Sequence, residues 1–265
     1  MHRELPELDT EVRMPVLFVG HGSPTNAIED NEFSRSWVAS AKALPRPKAI
    51  VCVSAHWETV GTHVTAMQRP RTIHDFHGFP QELFELQYPA PGYPALAQLV
   101  QQSMRSIEVR PDFDWGLDHG TWSVLHQMFP EADIPVIQLS LDRTKGAEFH
   151  YELGKELQTL RNRGILVIGS GNIVHNLGQM VWQDAAYDWA IEFDEMMKRL
   201  ILSGDHRAII NYHSFGQLAN LSVPTNEHFL PILYILAMQD KKDEIRFFAE
   251  KVTLGSMSMR SLRIG

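Results

Sequence analysis

One cysteine, Cys52, is all the chain has, so no disulfide can form within it, and a cytoplasmic protein is the expectation. No apolar run approaches the roughly 18 residues that a membrane-spanning helix needs. The first ten residues, Met1 to Thr10, are charged and contain no apolar segment of the secretory kind. Acidic residues outnumber basic ones, 32 to 24, which leaves a net charge of -8. With no basic stripe to set against that balance, nucleic-acid binding is not expected. Internal repeats, low-complexity tracts and long linkers are also missing, which favours one domain over two. Hydrophobic residues make up 44% of the 265 positions, enough to bury a sizeable core. Only the 13 histidines stand out.

Three of those histidines share a setting. Val16 to Val19 is a short apolar run that reads as a buried strand, and it stops at Gly20-His21-Gly22-Ser23-Pro24. Glycines on both sides let the backbone turn and leave the imidazole projecting from the strand's carboxyl end. Ala49 to Ser54 makes a second strand, running into Ala55-His56-Trp57. Gly164 to Gly169 makes a third, running into Ser170-Gly-Asn-Ile-Val-His175-Asn176. In an open α/β sheet the carboxyl ends of the strands are where ligands bind. One shared site at a sheet edge is therefore expected.

The rest of the chain fits that frame. Residues 1–13 read as a polar extension, and 14–265 as one domain. Helical spacing marks 31–42, 94–104, 121–128, 147–160, 187–202 and 206–212. Strands are expected at 62–67, 134–139, 245–249 and 256–264, with loops at 72–80 and 112–120. Asn226 to Leu236 reads as a helix capped by Thr225 and opened by His228. On such a helix Glu227 points about 100° away from His228. Strands interleaved with helices give an α/β fold: a central mixed β-sheet flanked by helices, its shared site at the carboxyl edge of the strands.

Neutral imidazoles are good ligands for iron, zinc and copper. His21, His56, His175 and His228 are the candidates, with Asn172 and Asn176 beside His175 able to orient its ring. Trp57 could wall a pocket. His74 and His77 could line one too, or belong to a plain loop. His2, His63, His150, His206 and His213 read as surface residues, and His126 as core.

Gly20-His-Gly-Ser-Pro24, Ser54-Ala-His-Trp57, Thr72-Ile-His-Asp-Phe76, Gly116-Leu-Asp-His-Gly120, Gly171-Asn-Ile-Val-His-Asn176 and Glu227-His-Phe-Leu-Pro231 together resemble the class III extradiol ring-cleaving dioxygenases. The similarity is strongest to the 4,5-DOPA extradiol branch and covers nearly the whole chain. It implies a mononuclear non-haem Fe(II) held by His21, His56 and His228, a site that Zn²⁺ can also occupy. It implies that His175 is the acid/base residue or a fourth ligand, and that His119 lies beside bound substrate. A carboxylate is a common third ligand in the wider superfamily, so Glu227 competes with His228 for that place.

Extradiol chemistry would then open a catechol with O2, through 4,5-cleavage of L-DOPA or a related catechol. Histidine suits both the removal and the return of a catechol proton. Trp57, His74, Phe76, Phe79 and Trp115 are the expected surroundings of the flat ring. Two other classes use similar residues. A zinc hydrolase would activate water at the same histidines, and a class II tetrapyrrole chelatase also carries a strand followed by His-Gly-Ser. A non-catalytic metal-binding protein is a third reading. Oligomeric state is not legible in the sequence.

Overall fold

The computed structural model describes residues 12–265; most of the polar extension expected at 1–13 therefore lies outside the described residues. The described residues form ten strands: β1 (Val16–Gly20), β2 (Ala49–Thr59), β3 (Thr62–Thr65), β4 (Val109–Asp112), β5 (Val136–Asp142), β6 (Ile165–Gly171), β7 (Ile245–Phe248), β8 (Val252–Thr253), β9 (Met257–Ser258) and β10 (Ser261–Ile264). Eight of them make one sheet in the order β4-β3-β5-β2-β6-β1-β10-β7, while β8 and β9 form a separate ribbon. The central pairs β5-β2, β2-β6 and β6-β1 are parallel. Both flanks bring antiparallel pairing, through β10 on one side and the β3-β5 contact on the other. The sheet is mixed, as expected.

The first strand shows why the centre is buried on both faces. Val16 and Phe18 join one core, and Leu17 and Val19 join the other. A period of two with apolar residues in both phases gives a continuous hydrophobic run instead of an alternating one. Each such side chain contributes about 1.5–3 kcal/mol when fully buried.

Among the described residues nine α-helices flank the sheet: α1 (Glu32–Lys42), α2 (Gln81–Glu85), α3 (Pro94–Ser103), α4 (His119–Met128), α5 (Ala147–Glu156), α6 (Asp188–Ser203), α7 (His206–Ile210), α8 (Gln217–Ser222) and α9 (Leu230–Ala237). Asn31 starts α1 by accepting from the Phe33 and Ser34 backbone N–H groups, while Ser34 Oγ accepts from Asn31 N–H. Every residue of α9 is buried, which marks a helix inside the protein.

Three expectations need correction. The helix expected from Asn226 begins at Leu230. Pro231 has no N–H to bond the Glu227 carbonyl, and its ring would clash there, so the helix cannot extend upstream. Proline is tolerated only in the first turn. Thr225 is therefore no cap; its hydroxyl donates to Glu227 Oε1. The strand expected over 256–264 is two strands with different partners. Between them the buried Arg260 turns to Asp194 and breaks the alternation. His150, expected at the surface, is fully buried under α9 with Nδ1 3.0 Å from the Tyr234 hydroxyl. His63 and His206 are also partly covered, whereas His213 is exposed.

Candidate metal centre and catalytic pocket

The carboxyl ends of β1, β2 and β6 deliver the site. His21 follows β1 directly, and its turn depends on Gly22, whose φ of +60° lies in the left-handed region. His56 lies inside β2, where the register against β5 shifts between Val53 and Glu58. An irregularity of this kind re-aims a side chain off the ladder. His228 comes from the turn before α9. Its carbonyl accepts the Asn172 N–H at 2.9 Å, and the missing Cβ of Gly171 leaves room for that close approach. His119 is the first residue of α4. The buried Asp118 caps that helix by accepting from Thr121 N–H, and also accepts from Ser54 Oγ and Gln138 Nε2.

The polar neighbour at Nδ1 decides which nitrogen each ring presents. Ser170 Oγ gives its only proton to the Gly120 carbonyl, so it can only accept from His21 Nδ1, 3.0 Å away. His228 Nδ1 lies 3.0 Å from Glu227 Oε1, and a carboxylate likewise requires a proton on that nitrogen. His56 Nδ1 lies 3.4 Å from Asp75 Oδ2. All three rings are thus directed to offer Nε2. His21 Nε2 and His56 Nε2 are 3.0 Å apart, and the buried Nε2 of His228 has no hydrogen-bond partner among the described residues. One nitrogen from each of the three lies within 4.8 Å of the others.

Two lone pairs facing each other at that distance repel unless a cation lies between them. Ligands about 2.1 Å from a shared ion and at a right angle would be about 3.0 Å apart. The donor set therefore fits a metal ion. Burial first, and the neighbouring histidines second, hold His21, His56 and His228 well below the usual imidazole range. They are neutral, as ligands must be.

His175 is placed differently. Its ring stacks on that of His228 at 3.5 Å between centroids and 8° between planes. It clusters with Glu227 and His228, not with His21 and His56. Burial, with a smaller contribution from His119, pushes its pKa down to about 4. The His119 ring packs 3.8 Å from that of His56, and its Nδ1 lies 3.0 Å from Asp75 Oδ2. Burial would raise the Asp75 carboxyl, but the contacts with His119 and His56 outweigh it and hold the group below its ordinary range.

These histidines line a cavity of about 410 Å³, walled by Phe76, Phe79, Met180, Trp182 and Met257 among others. A larger hollow beside α1, about 580 Å³, contains no histidine. Phe76, Phe79 and His77 reach the cavity. Three expected neighbours of substrate do not. Trp57 and Trp115 stack on each other, 5.7 Å apart and nearly parallel, outside the lining. His74 Nε2 donates to the Leu86 carbonyl at 2.9 Å and its ring packs against Trp122. The indoles turn away because β2 and the 112–118 loop bury Trp57 against Trp115, a pairing that spacing does not reveal. Sequence reasoning missed Asp75, Ser170, Asp118 and Trp182. For Asp75 a signal was present: an acid between two histidines in an aromatic loop.

A family described as the catalytic LigB subunit of aromatic ring-opening dioxygenase matches residues 14–258. The chain belongs to this family and is an extradiol ring-cleaving dioxygenase, an oxidoreductase. Hydrolysis and metal insertion into a tetrapyrrole give way to ring opening. The chain is 49% identical over 264 residues to the 4,5-DOPA dioxygenase extradiol of Escherichia coli (strain K12), covering 97% of this chain and 96% of the relative. Beta vulgaris has a protein of the same name that is 37% identical over 222 residues, covering 81% and 83% of the two chains. The crystal structure of an uncharacterized Escherichia coli K12 protein superposes with a TM-score of 0.84 at 44% identity, covering 96% of this chain and all of that one. Members of the family depend on a metal and act on small molecules. No helix among the described residues is long and apolar enough to cross a membrane.

Proposed function

We propose that the protein opens a catechol with O2 at a single Fe(II) held by His21, His56 and His228, and that L-DOPA or a related catechol is its substrate. The observation that carries this reading is the convergence of one nitrogen each from His21, His56 and His228, on rings whose Nδ1 atoms face Ser170, Asp75 and Glu227. Iron, when bound, supplies the redox chemistry that joins O2 to the ring, which zinc in the same site cannot.

The protein's own residues do the rest. His175 is neutral and lies over the His228 face, where it can accept a catechol proton and return it. Its separation from the three-histidine cluster supports the acid/base role over that of a fourth ligand. His119 lines the cavity and, with Nδ1 turned to Asp75, presents Nε2 toward substrate as a hydrogen-bond acceptor. Phe76 and Phe79 wall a cavity sized for one ring with a short side chain. Glu227 acts by orienting His228, not as a ligand. The names of the relatives support L-DOPA as the first substrate to try. The single, buried Cys52 supports a cytoplasmic setting.

Anaerobic reconstitution with Fe(II), followed by O2 uptake on a panel of catechols, tests the reading. A yellow ring-opened product is expected with iron and none with zinc. Equal turnover with both metals would refute it.

A further inference from the structure

Asp75 lies in the 72–80 loop, yet its carboxylate reaches two imidazoles of the site. Oδ2 is 3.0 Å from His119 Nδ1 and 3.4 Å from His56 Nδ1, and Oδ1 accepts the His119 backbone N–H at 2.9 Å. The two rings it touches are themselves packed at 3.8 Å. We propose that Asp75 is a positioning residue that holds His56 and His119 in one tautomer and one mutual orientation, so that a single carboxylate ties a metal-holding ring to a substrate-facing one.

A carboxylate only accepts hydrogen bonds, so a neutral ring with Nδ1 turned toward it is favoured with the proton on that nitrogen and the lone pair on Nε2. Without it the His56 and His119 rings are free to rotate or exchange tautomers. The backbone contact adds a second constraint, because it pins the loop to the start of α4, where Asp118 already fixes the helix end. Phe76, next in sequence, is thereby held as a wall of the cavity. No other carboxylate contacts the His56 or His119 ring nitrogens among the described residues. This inference rests on the assignment of the site under the proposed function.

Asp75→Asn tests it, since the amide keeps the shape but can accept at only one of its two former acceptor atoms. Metal stoichiometry is expected to stay at the wild-type value, with metal affinity by chelator competition down about tenfold and kcat down about 10–100-fold. KM for the catechol should change by less than about threefold, because the carboxylate acts through the rings and not on the substrate. In the diamagnetic zinc-loaded protein, the ¹⁵N shifts of His119 should move from the pure Nδ1–H form toward a tautomer mixture. In a His119→Ala background the same change should cost less than about threefold in kcat, the non-additivity expected of coupled residues.

Loss of the metal at saturating concentration would make Asp75 a ligand and overturn the proposal. So would unchanged His119 tautomers, a fall in thermal stability with kcat per bound metal preserved, or additive effects in the double variant. If the wild-type protein opened no catechol, the proposed function would fail first. The tautomer and metal-affinity measurements would still decide the role of Asp75.

Discussion

Glu227→Gln removes a charge next to His228 without removing the atoms that hold it. In the wild-type protein Glu227 Oε1 accepts from His228 Nδ1 at 3.0 Å and from Thr225 Oγ1 at 2.9 Å. The carboxylate side chain is 20% exposed and the His228 side chain 8%, so water screens the pair only in part. Hydrogen bonds to charged groups contribute about 1.5–3 kcal/mol and neutral ones about 0.5–1.5 kcal/mol, so exchanging one for the other should cost about 1 kcal/mol. If that loss falls on the metal-bound state, metal affinity drops roughly five- to tenfold. Full occupancy should still be reached at high metal concentration, and turnover per bound metal should change little. Chelator competition with Zn²⁺ measures the affinity, and O2 uptake by the iron-loaded enzyme measures turnover. Glu58 provides an internal control, because burial first and the Glu227 charge second raise its carboxyl. It should titrate lower in the variant. Complete loss of metal would show that the carboxylate, and not the imidazole, is the third ligand. Unchanged affinity would show that orientation of His228 through Nδ1 contributes nothing.

Further outcomes follow from the same geometry. His21→Ala and His56→Ala should each lose bound metal, measured by elemental analysis, because no nearby side chain replaces a nitrogen fixed at a strand end or bulge; full stoichiometry in either would refute the assignment. His175→Ala should retain metal and lose roughly 10²- to 10⁴-fold in kcat, the usual worth of a positioned acid/base group. Metal loss there would make it a ligand. His150 gives a pH dependence remote from the site: burial holds its pKa at about 4, below the unfolded value of about 6.5. The unfolded chain therefore takes up a proton first as pH falls, and stability declines between those two values by up to roughly 3 kcal/mol. Urea unfolding should show the advantage of wild type over His150→Gln shrinking from pH 7 to pH 4.5, and a pH-independent difference would contradict the reasoning.

Much of this protein was legible in its sequence because the informative features are local. A buried parallel strand is a short apolar run, and a glycine-flanked histidine at its end can hardly point anywhere but out of the sheet. That logic found β1, β2 and β6 and pointed to a shared edge for His21, His56 and His175; His228, whose place as a ligand came from the family resemblance, is the residue that joins His21 and His56 in one cluster. Pro231 was also visible, and its missing N–H sets the start of α9 at Leu230, a local rule that amphipathic spacing alone had overridden. Other features depended on partners far along the chain. Trp57 left the pocket because Trp115 was there to stack on, and Arg260 broke a strand because Asp194 was there to receive it. Asp75 became part of the site only when the sheet carried His56 to it and α4 carried His119. Sequence patterning determines which side chains leave an element and on which face. Only the assembled sheet and helices decide which of them meet, because a contact of 3 Å depends on register, bulge and loop path together.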